Sequence, residues 1–176
     1  ITAAVAMGML FLVTVRVLRR LHLPTPIDDR HALVVAAVST ISMAASRMLW
    51  SQATVTEVYA LNAMFVSAIL LAAFGLRDRQ EGLRADAGGK GPGWRYGLAI
   101  GLLSGIALGN HLTIAALIAP MLVWGLLGGG IRSLAATHII PMVLGGLVGV
   151  SVYAYAPLAS AQSPVLNWGH PDTAEG

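Results

Sequence analysis

Four polar side chains that could bind a substrate fall within eleven residues beside long apolar runs: Gln52, Glu57, Tyr59 and Asn62. A carboxylate near a hydrocarbon core is costly, about 2.5 to 3.5 kcal/mol at the centre and less near the interface. Glu57 is therefore a candidate general base, metal ligand or hydrogen-bond acceptor for a sugar. The alternative is structural, either a salt bridge to Arg47 or a carboxylate that only faces water.

Two aromatic residues belong to this region: Trp50 directly precedes the stretch, and Tyr59 lies within it. Such side chains can stack on a sugar or form a platform for a lipid headgroup. They are equally typical of the aromatic belt at a membrane interface. The sequence leaves both interpretations open.

A second polar motif, Asn110-His111-Leu112-Thr113, interrupts an apolar run of 32 residues from Tyr96 to Leu127. An imidazole here can bind phosphate, accept a proton or ligate a metal. No second histidine lies nearby at metal spacing, so phosphate contact is favoured and no metal site is predicted. For Asn110 and Thr113 the alternative is capping of broken helix ends.

A third group of candidates lies in the C-terminal stretch, which is rich in turn-forming residues. Its potential substrate-binding side chains are Gln162, Asn167, Trp168 and Asp172. One aromatic among hydrogen-bonding groups is typical of carbohydrate-binding loops, and an ordinary surface loop is the alternative.

The composition indicates which solvent surrounds these motifs. Of 176 residues, 56% are hydrophobic and 11% charged, and the mean hydropathy is +0.74, whereas soluble domains carry about 25% charged residues. The net charge of +3 comes from cations in short segments between apolar runs, which argues against nucleic acid as a partner. Membrane lipids are the expected surroundings. The absence of cysteine excludes thiol chemistry in this sequence.

The apolar runs predict an all-α fold, a polytopic transmembrane helix bundle with about six spans. Residues 1–156 form the predicted transmembrane domain, and residues 157–176 the start of an external loop, cut short like the first span because the chain resembles an internal fragment. The 32-residue run is too long for one crossing and is divided in two. The predicted spans are residues 1–15, 31–49, 58–76, 96–108, 112–127 and 139–155.

The distribution of cations tests this topology. Ten of the eleven Lys and Arg fall between spans one and two, three and four, or five and six, and only Arg47 lies on the other side. By the positive-inside rule these three connections are cytoplasmic, so all three polar motifs meet the non-cytoplasmic face. The glycines of the last three spans are expected to permit close helix packing.

Three ordered strings resemble the transmembrane protein 260-like family, which is grouped as glycosyltransferase family 117 and was formerly a domain of unknown function. The strings are Trp50-Ser51-Gln52-Ala53 with Glu57-Val58-Tyr59-Ala60-Leu61-Asn62, then Leu108-Gly109-Asn110-His111-Leu112-Thr113, then Ser160-Ala161-Gln162-Ser163-Pro164 with Asn167-Trp168-Gly169 and Pro171-Asp172-Thr173. Two positions depart from the family pattern: Ala159 stands where Arg is frequent, and His170 where an acidic residue is common. These departures weaken a phosphate clamp at Ala159 and a metal site at Asp172.

The resemblance implies a GT-C-like enzyme that moves a sugar from a lipid-phosphate donor, usually a polyprenyl phosphate sugar, to a protein or glycan acceptor outside the cytoplasm. Protein O-mannosylation is one form of this reaction in eukaryotic relatives. The catalytic residue is unknown here, because the acidic residue of such enzymes is expected upstream of Ile1. No cofactor is predicted, and the need for a divalent metal stays open. A bacterial plasma membrane is the expected location.

Two other functions remain to be weighed. A transporter or lipid flippase also uses broken helices with polar residues, but it concentrates them at mid-membrane. Here they gather at one interface, which favours chemistry on a lipid-anchored donor. A scaffold subunit without catalysis is the third possibility.

Overall fold

The fold is known from a computed structural model that describes residues 1–21, 27–54, 58–84, 93–110, 112, 114–116, 119 and 136–162. The described part is helical. The α-helices are α1 (Thr2–Arg20), α2 (Asp29–Ala44), α3 (Arg47–Thr54), α4 (Tyr59–Arg84), α5 (Trp94–Asn110), α6 (Ala136–Val150) and α7 (Tyr155–Ser160), and a 3₁₀ helix, Ser151–Ala154, joins α6 to α7.

Helices α1 and α4 run parallel, and an ion-pair network joins their C-terminal ends. Arg20 pairs with Asp78 and Glu81, and Arg16 lies 3.5 Å from Asp78. Glu81 also accepts from Arg77 at 2.9 Å, one turn away on its own helix. We call this end of the bundle the arginine end, defined by Arg16 and Arg20.

Helix α2 returns antiparallel to α1. The Arg19 Nε atom lies 2.9 Å from the carboxylate of Asp29, which places the start of α2 at the arginine end. Helix α5 returns antiparallel to α4, because Gly75 touches Tyr96 at one end of the pair and Asn62 bonds to Asn110 at the other. We call the opposite end the amide end, defined by Asn62 and Asn110.

Helices α5 and α6 run parallel and nearly touch along their backbones. Gly97, Gly101 and Gly105 of α5 face the α6 backbone so closely that a Cβ at any of them would collide with a carbonyl oxygen. On α6, a Cβ at Gly149 would lie 2.5 Å from the Leu102 oxygen. Glycines four apart make such an approach possible. The expectation of close packing is therefore confirmed for the glycines of these two helices.

The core lies between α4 and α5. It contains Ile69 and Leu76 of α4, Ile100 of α5 and the nearby Ile114, all at most 2% exposed. Isoleucine and leucine fill this space without bringing polar atoms that need partners. The described helices also expose many large apolar side chains, such as Val38, Ile41 and Leu147, as expected where lipid is the solvent.

Three helical segments of the described chain are long and apolar enough to cross a membrane: Thr2–Arg20, Tyr59–Glu81 and His138–Ser160. The predicted six spans are therefore not confirmed as a count. Helices α2 and α5 contain 16 and 17 residues, about 24 to 26 Å at 1.5 Å per residue, slightly less than the roughly 30 Å core. Most of predicted span 112–127 lies outside the described residues.

The parallel orientation of α5 and α6 bears on that fifth span. Asn110 is the last residue of α5, at the amide end, whereas His138 in the first turn of α6 lies beside Gly93 and Gly97 at the arginine end. The end of α5 and the start of α6 therefore lie at opposite ends of the bundle. The predicted division of the apolar run Tyr96 to Leu127 into two crossings likewise places the end of α5 and the start of α6 at opposite ends of the bundle.

Several predicted boundaries differ from the structure. Predicted span 31–49 ends earlier, at Ala44, because the Ser46 hydroxyl donates to the Met43 carbonyl at 2.7 Å and accepts from the Leu49 amide at 3.3 Å. That hydroxyl closes one helix and caps the next. Helix α1 reaches Arg20 and α4 reaches Arg84, beyond the predicted limits of 15 and 76, because the arginine-end ion pairs extend both helices.

The last predicted boundary also moves. Helical structure continues through Pro157 to Ser160 instead of giving way to a loop at residue 157. Proline is tolerated in the first turn of a helix, where its missing N–H has no intrahelical partner to lose.

Candidate functional site

Two asparagines link the end of α5 to the start of α4. The Asn110 amide nitrogen donates to Asn62 Oδ1 at 2.6 Å and to the Val58 carbonyl at 3.2 Å. Asn110 is the last residue of α5 and Val58 directly precedes α4. The bonds therefore hold together two helix ends that carry separate polar motifs of the sequence.

A tyrosine of the 3₁₀ helix also contacts the end of α5. The Tyr153 hydroxyl donates to the Leu108 carbonyl, and its ring packs against Gly109. Carbonyls in the last turn of a helix have no intrahelical donor, and a side-chain hydroxyl can supply one. The end of α5 thus contacts both the start of α4 and the 3₁₀ helix that follows α6.

An apolar cavity of about 620 Å³ opens at the amide end. Its walls come from the starts of α1 and α4, the end of α2, and α3. The lining residues are Ile1, Thr2, Ala3, Ala4, Met7, Ala44, Leu49, Trp50, Thr54, Ala60 and Leu61. Cavities of this size and character accommodate small apolar ligands or parts of larger ones.

The two predicted aromatic residues stand near this cavity with much of their surface free. Trp50 lines it and is 62% exposed, and Tyr59, the first residue of α4, is 49% exposed. Both positions suit substrate stacking and equally suit an interfacial aromatic belt. The predicted choice between these roles therefore stays open.

The remaining predicted site residues divide into two groups. Gln162 is exposed just past α7, and Gln52 lies on α3, although its side chain is outside the described residues. Glu57, His111, Thr113, Asn167, Trp168 and Asp172 are also outside them. Glu57 precedes Val58 and His111 follows Asn110, so each neighbours a residue of the amide-end hydrogen bonds. Their roles stay predictions.

Tyr153 is the contact that sequence reasoning missed, because it lies inside an apolar run predicted only as a span. The glycine spacing of α5 and α6 indicates a close contact, but the register that brings Tyr153 level with Gly109 is seen only in the packed backbones. Among the described residues no group of three or more His, Cys, Asp or Glu is arranged to hold a metal.

The features of the described helices indicate the class of protein. The chain forms an apolar helix bundle with membrane-length helices, an ion-paired arginine end and a polar amide end. It is therefore an integral membrane protein.

Comparison with known families then gives a specific assignment. Residues 1–132 match the family model described as protein O-mannosyl-transferase TMEM260 N-terminal domain. The chain belongs to this family, which confirms the resemblance found in the three sequence strings and supports a glycosyltransferase role. Neither a curated protein nor a solved structure matches the chain.

Proposed function

We propose that this chain is part of an integral membrane glycosyltransferase that moves a sugar, in the first instance mannose, from a lipid-phosphate donor to a protein acceptor. The family match over residues 1–132 carries this proposal. The amide end is the proposed reaction face, because it gathers the described members of the predicted site.

Charge distribution supports a non-cytoplasmic position for that face. Most of the described cations lie at or near the arginine end, among them Arg16, Arg19, Arg20, Arg77 and Arg95. Arg47, by contrast, opens α3 at the amide end. Cationic segments stay on the cytoplasmic side during insertion. The arginine end is thus proposed to face the cytoplasm, in a bacterial plasma membrane.

The proposed chemistry is an inverting transfer of GT-C type. The acceptor hydroxyl oxygen forms a bond to the anomeric carbon while the bond from that carbon to the phosphate oxygen breaks. A base takes the hydroxyl proton, and the lipid phosphate leaves with the bonding electron pair. Glu57 orients the acceptor or the sugar, and His111 contacts the phosphate. The base is proposed to lie upstream of Ile1.

A transporter or flippase is the alternative, and the position of polar groups separates the two. Transporters place substrate-binding polar groups near mid-membrane. In the described helices the polar side chains of the middle turns are hydroxyls, such as the buried Ser67 and the partly buried Ser104. The larger hydrogen-bonding groups, Asn62 and Asn110, lie at one end. This pattern favours interfacial chemistry.

The decisive experiment measures sugar transfer by the full-length protein in membranes. Radiolabelled polyprenyl phosphate mannose is the donor and a Ser/Thr-rich peptide the acceptor. We expect Glu57→Gln and His111→Ala to lower transfer at least tenfold, about 1.4 kcal/mol of lost transition-state stabilisation. Membrane insertion should be unchanged. The control is Arg30→Gln, an exposed residue near the arginine end.

The outcomes separate the candidate functions. Unchanged rates in both variants would refute the two assigned roles. Absence of transfer by the wild-type protein, together with movement of the labelled lipid between leaflets, would favour the flippase. Absence of both activities would leave the scaffold role.

A further inference from the structure

We infer that Arg47 binds the phosphate of a single-chain polyprenyl phosphate whose hydrocarbon chain enters the amide-end cavity. This inference rests on the proposed function and deepens it, because it assigns a place for the donor lipid.

The α2–α3 break fixes where Arg47 stands. Ser46 lies between the two helices, and its hydroxyl accepts from the Leu49 amide at 3.3 Å. Arg47 is therefore the first residue of α3. Residues three apart in a helix share a face, so Arg47 and Trp50 lie on neighbouring positions of that face. Trp50 lines the cavity and is 62% exposed.

The cavity suits a hydrocarbon chain. Most of its lining is aliphatic, including Met7 of α1, Leu49 of α3 and Leu61 of α4. An aliphatic wall gives a polar headgroup few hydrogen bonds to replace those lost from water, whereas it costs nothing to an isoprenoid chain. The phosphate would thus remain outside, at the cavity opening.

Charge complementarity selects the headgroup. Arg47 is exposed and makes no ion pair with any residue that the structure describes. Several arginines of the opposite end, by contrast, are already engaged: Arg16 and Arg20 pair with Asp78, and Arg19 pairs with Asp29. A guanidinium binds phosphate through two parallel hydrogen bonds, which a neutral headgroup cannot match. A phosphate on one apolar chain therefore fits both parts of the surface.

The test measures binding of undecaprenyl phosphate to the full-length protein in phosphatidylcholine nanodiscs by native mass spectrometry. We expect Arg47→Gln to weaken binding about tenfold, the effect of roughly 1.4 kcal/mol, and Arg47→Lys to weaken it less because the charge is kept. Arg30→Gln, a matched loss of an exposed arginine near the arginine end, should leave binding unchanged.

Three further probes separate chain from phosphate. Undecaprenol keeps the chain without phosphate and should bind weakly, with no difference between wild type and Arg47→Gln. Inorganic phosphate lacks the chain and should not compete. Phosphatidylglycerol should compete poorly, because its two acyl chains do not match one cavity.

A second set of variants tests the cavity itself. Ala60→Trp fills it from α4 and Ala4→Trp fills it from α1, so the two variants test the same space from different helices. Each should weaken binding of undecaprenyl phosphate, with an unchanged melting temperature as the criterion of folding.

Several results would overturn the inference: equal binding by wild type and Arg47→Gln, equal competition by phosphatidylglycerol, or no effect of a folded cavity-filling variant. No binding by the wild type would also overturn it, and would indicate that another part of the chain fills the cavity. Failure of the proposed function looks different, since the wild type would then bind the lipid through Arg47 yet transfer no sugar. Transfer by Arg47→Gln with a wild-type KM for the donor would refute the inference alone.

Discussion

Asn110 donates a 2.6 Å hydrogen bond to Asn62, and this contact joins two helix ends that are 48 positions apart in the sequence. The same amide group also reaches the Val58 carbonyl. Two of the three predicted polar motifs therefore approach each other through described atoms. This contact gives the proposed reaction face a fixed geometry.

The first prediction concerns this pair. Asn62→Ala and Asn110→Ala should each lower stability by about 1 kcal/mol, because side-chain hydrogen bonds between membrane helices contribute roughly 0.6 kcal/mol on average and at most about 1.7. The double variant should lose less than the sum, since both single changes remove the same bond. Denaturation in mixed micelles measures the cycle, and strict additivity would show that the bond contributes no coupling.

The second prediction concerns the contact between α5 and α6. Gly101→Ala should destabilise the protein by about 1 to 3 kcal/mol, because the new Cβ would collide with the Met142 carbonyl and force the backbones apart. Gly8→Ala is the matched control, since nothing lies within 4 Å of a Cβ at Gly8. Melting temperatures in detergent compare the two. Equal behaviour of the variants would argue against the close approach.

The third prediction concerns orientation across the membrane. The sequence contains no cysteine, so single cysteines can be introduced at chosen positions in a cysteine-free full-length protein. Thr54→Cys at the amide end should react with a membrane-impermeant maleimide applied outside intact cells. Arg30→Cys should react only after the membrane is opened. The reverse pattern would place the proposed reaction face in the cytoplasm.

The fourth prediction concerns pH at the start of α2, outside the membrane-spanning segments. The Asp28 carboxylate accepts the His31 backbone N–H at 2.7 Å and also pairs with the His31 ring, and these bonds hold the pKa of Asp28 below its ordinary value of 3.8. A lowered pKa means that the capping bond stabilises the folded state at higher pH. This stabilisation is lost as the pH falls below 3.8 and through the lowered pKa.

Hydrogen exchange of the His31 amide can measure this loss. Protection should decrease through that acidic range in the wild type. It should persist in Asp28→Asn, because asparagine caps a helix without titrating. If protection of the His31 amide in the wild type did not change with pH, the capping role of Asp28 would be contradicted.

Some of this architecture could be predicted from the sequence because its causes are local. Apolar runs indicate helices, and the four-residue spacing of Gly97, Gly101 and Gly105 indicates a face for close contact. The cations also indicate which helix ends meet. From these signals one can predict that the motif around Asn62 and the motif around Asn110 lie at the same end of the helix bundle.

Other features depend on distant partners and could not be predicted in the same way. The ends of α1 and α4 are extended because Arg20 meets Asp78 and Glu81, a pairing that neither segment reveals alone. The break at Ser46 lies in a stretch whose composition still suits a continuing helix. The contact of Tyr153 with Leu108 likewise requires the α5–α6 register, which only the packed backbones establish.

The parallel pairing of α5 and α6 has a consequence for biosynthesis. Neighbouring antiparallel helices can associate as soon as both leave the ribosome, but the glycine face of α5 meets a helix made about forty residues later. Until then Gly101 and Gly105 present bare backbone to lipid or to the insertion machinery. Assembly of this part of the membrane domain must therefore wait for synthesis of its late partner, and a chain truncated before Ala136 would leave the glycine face of α5 without α6.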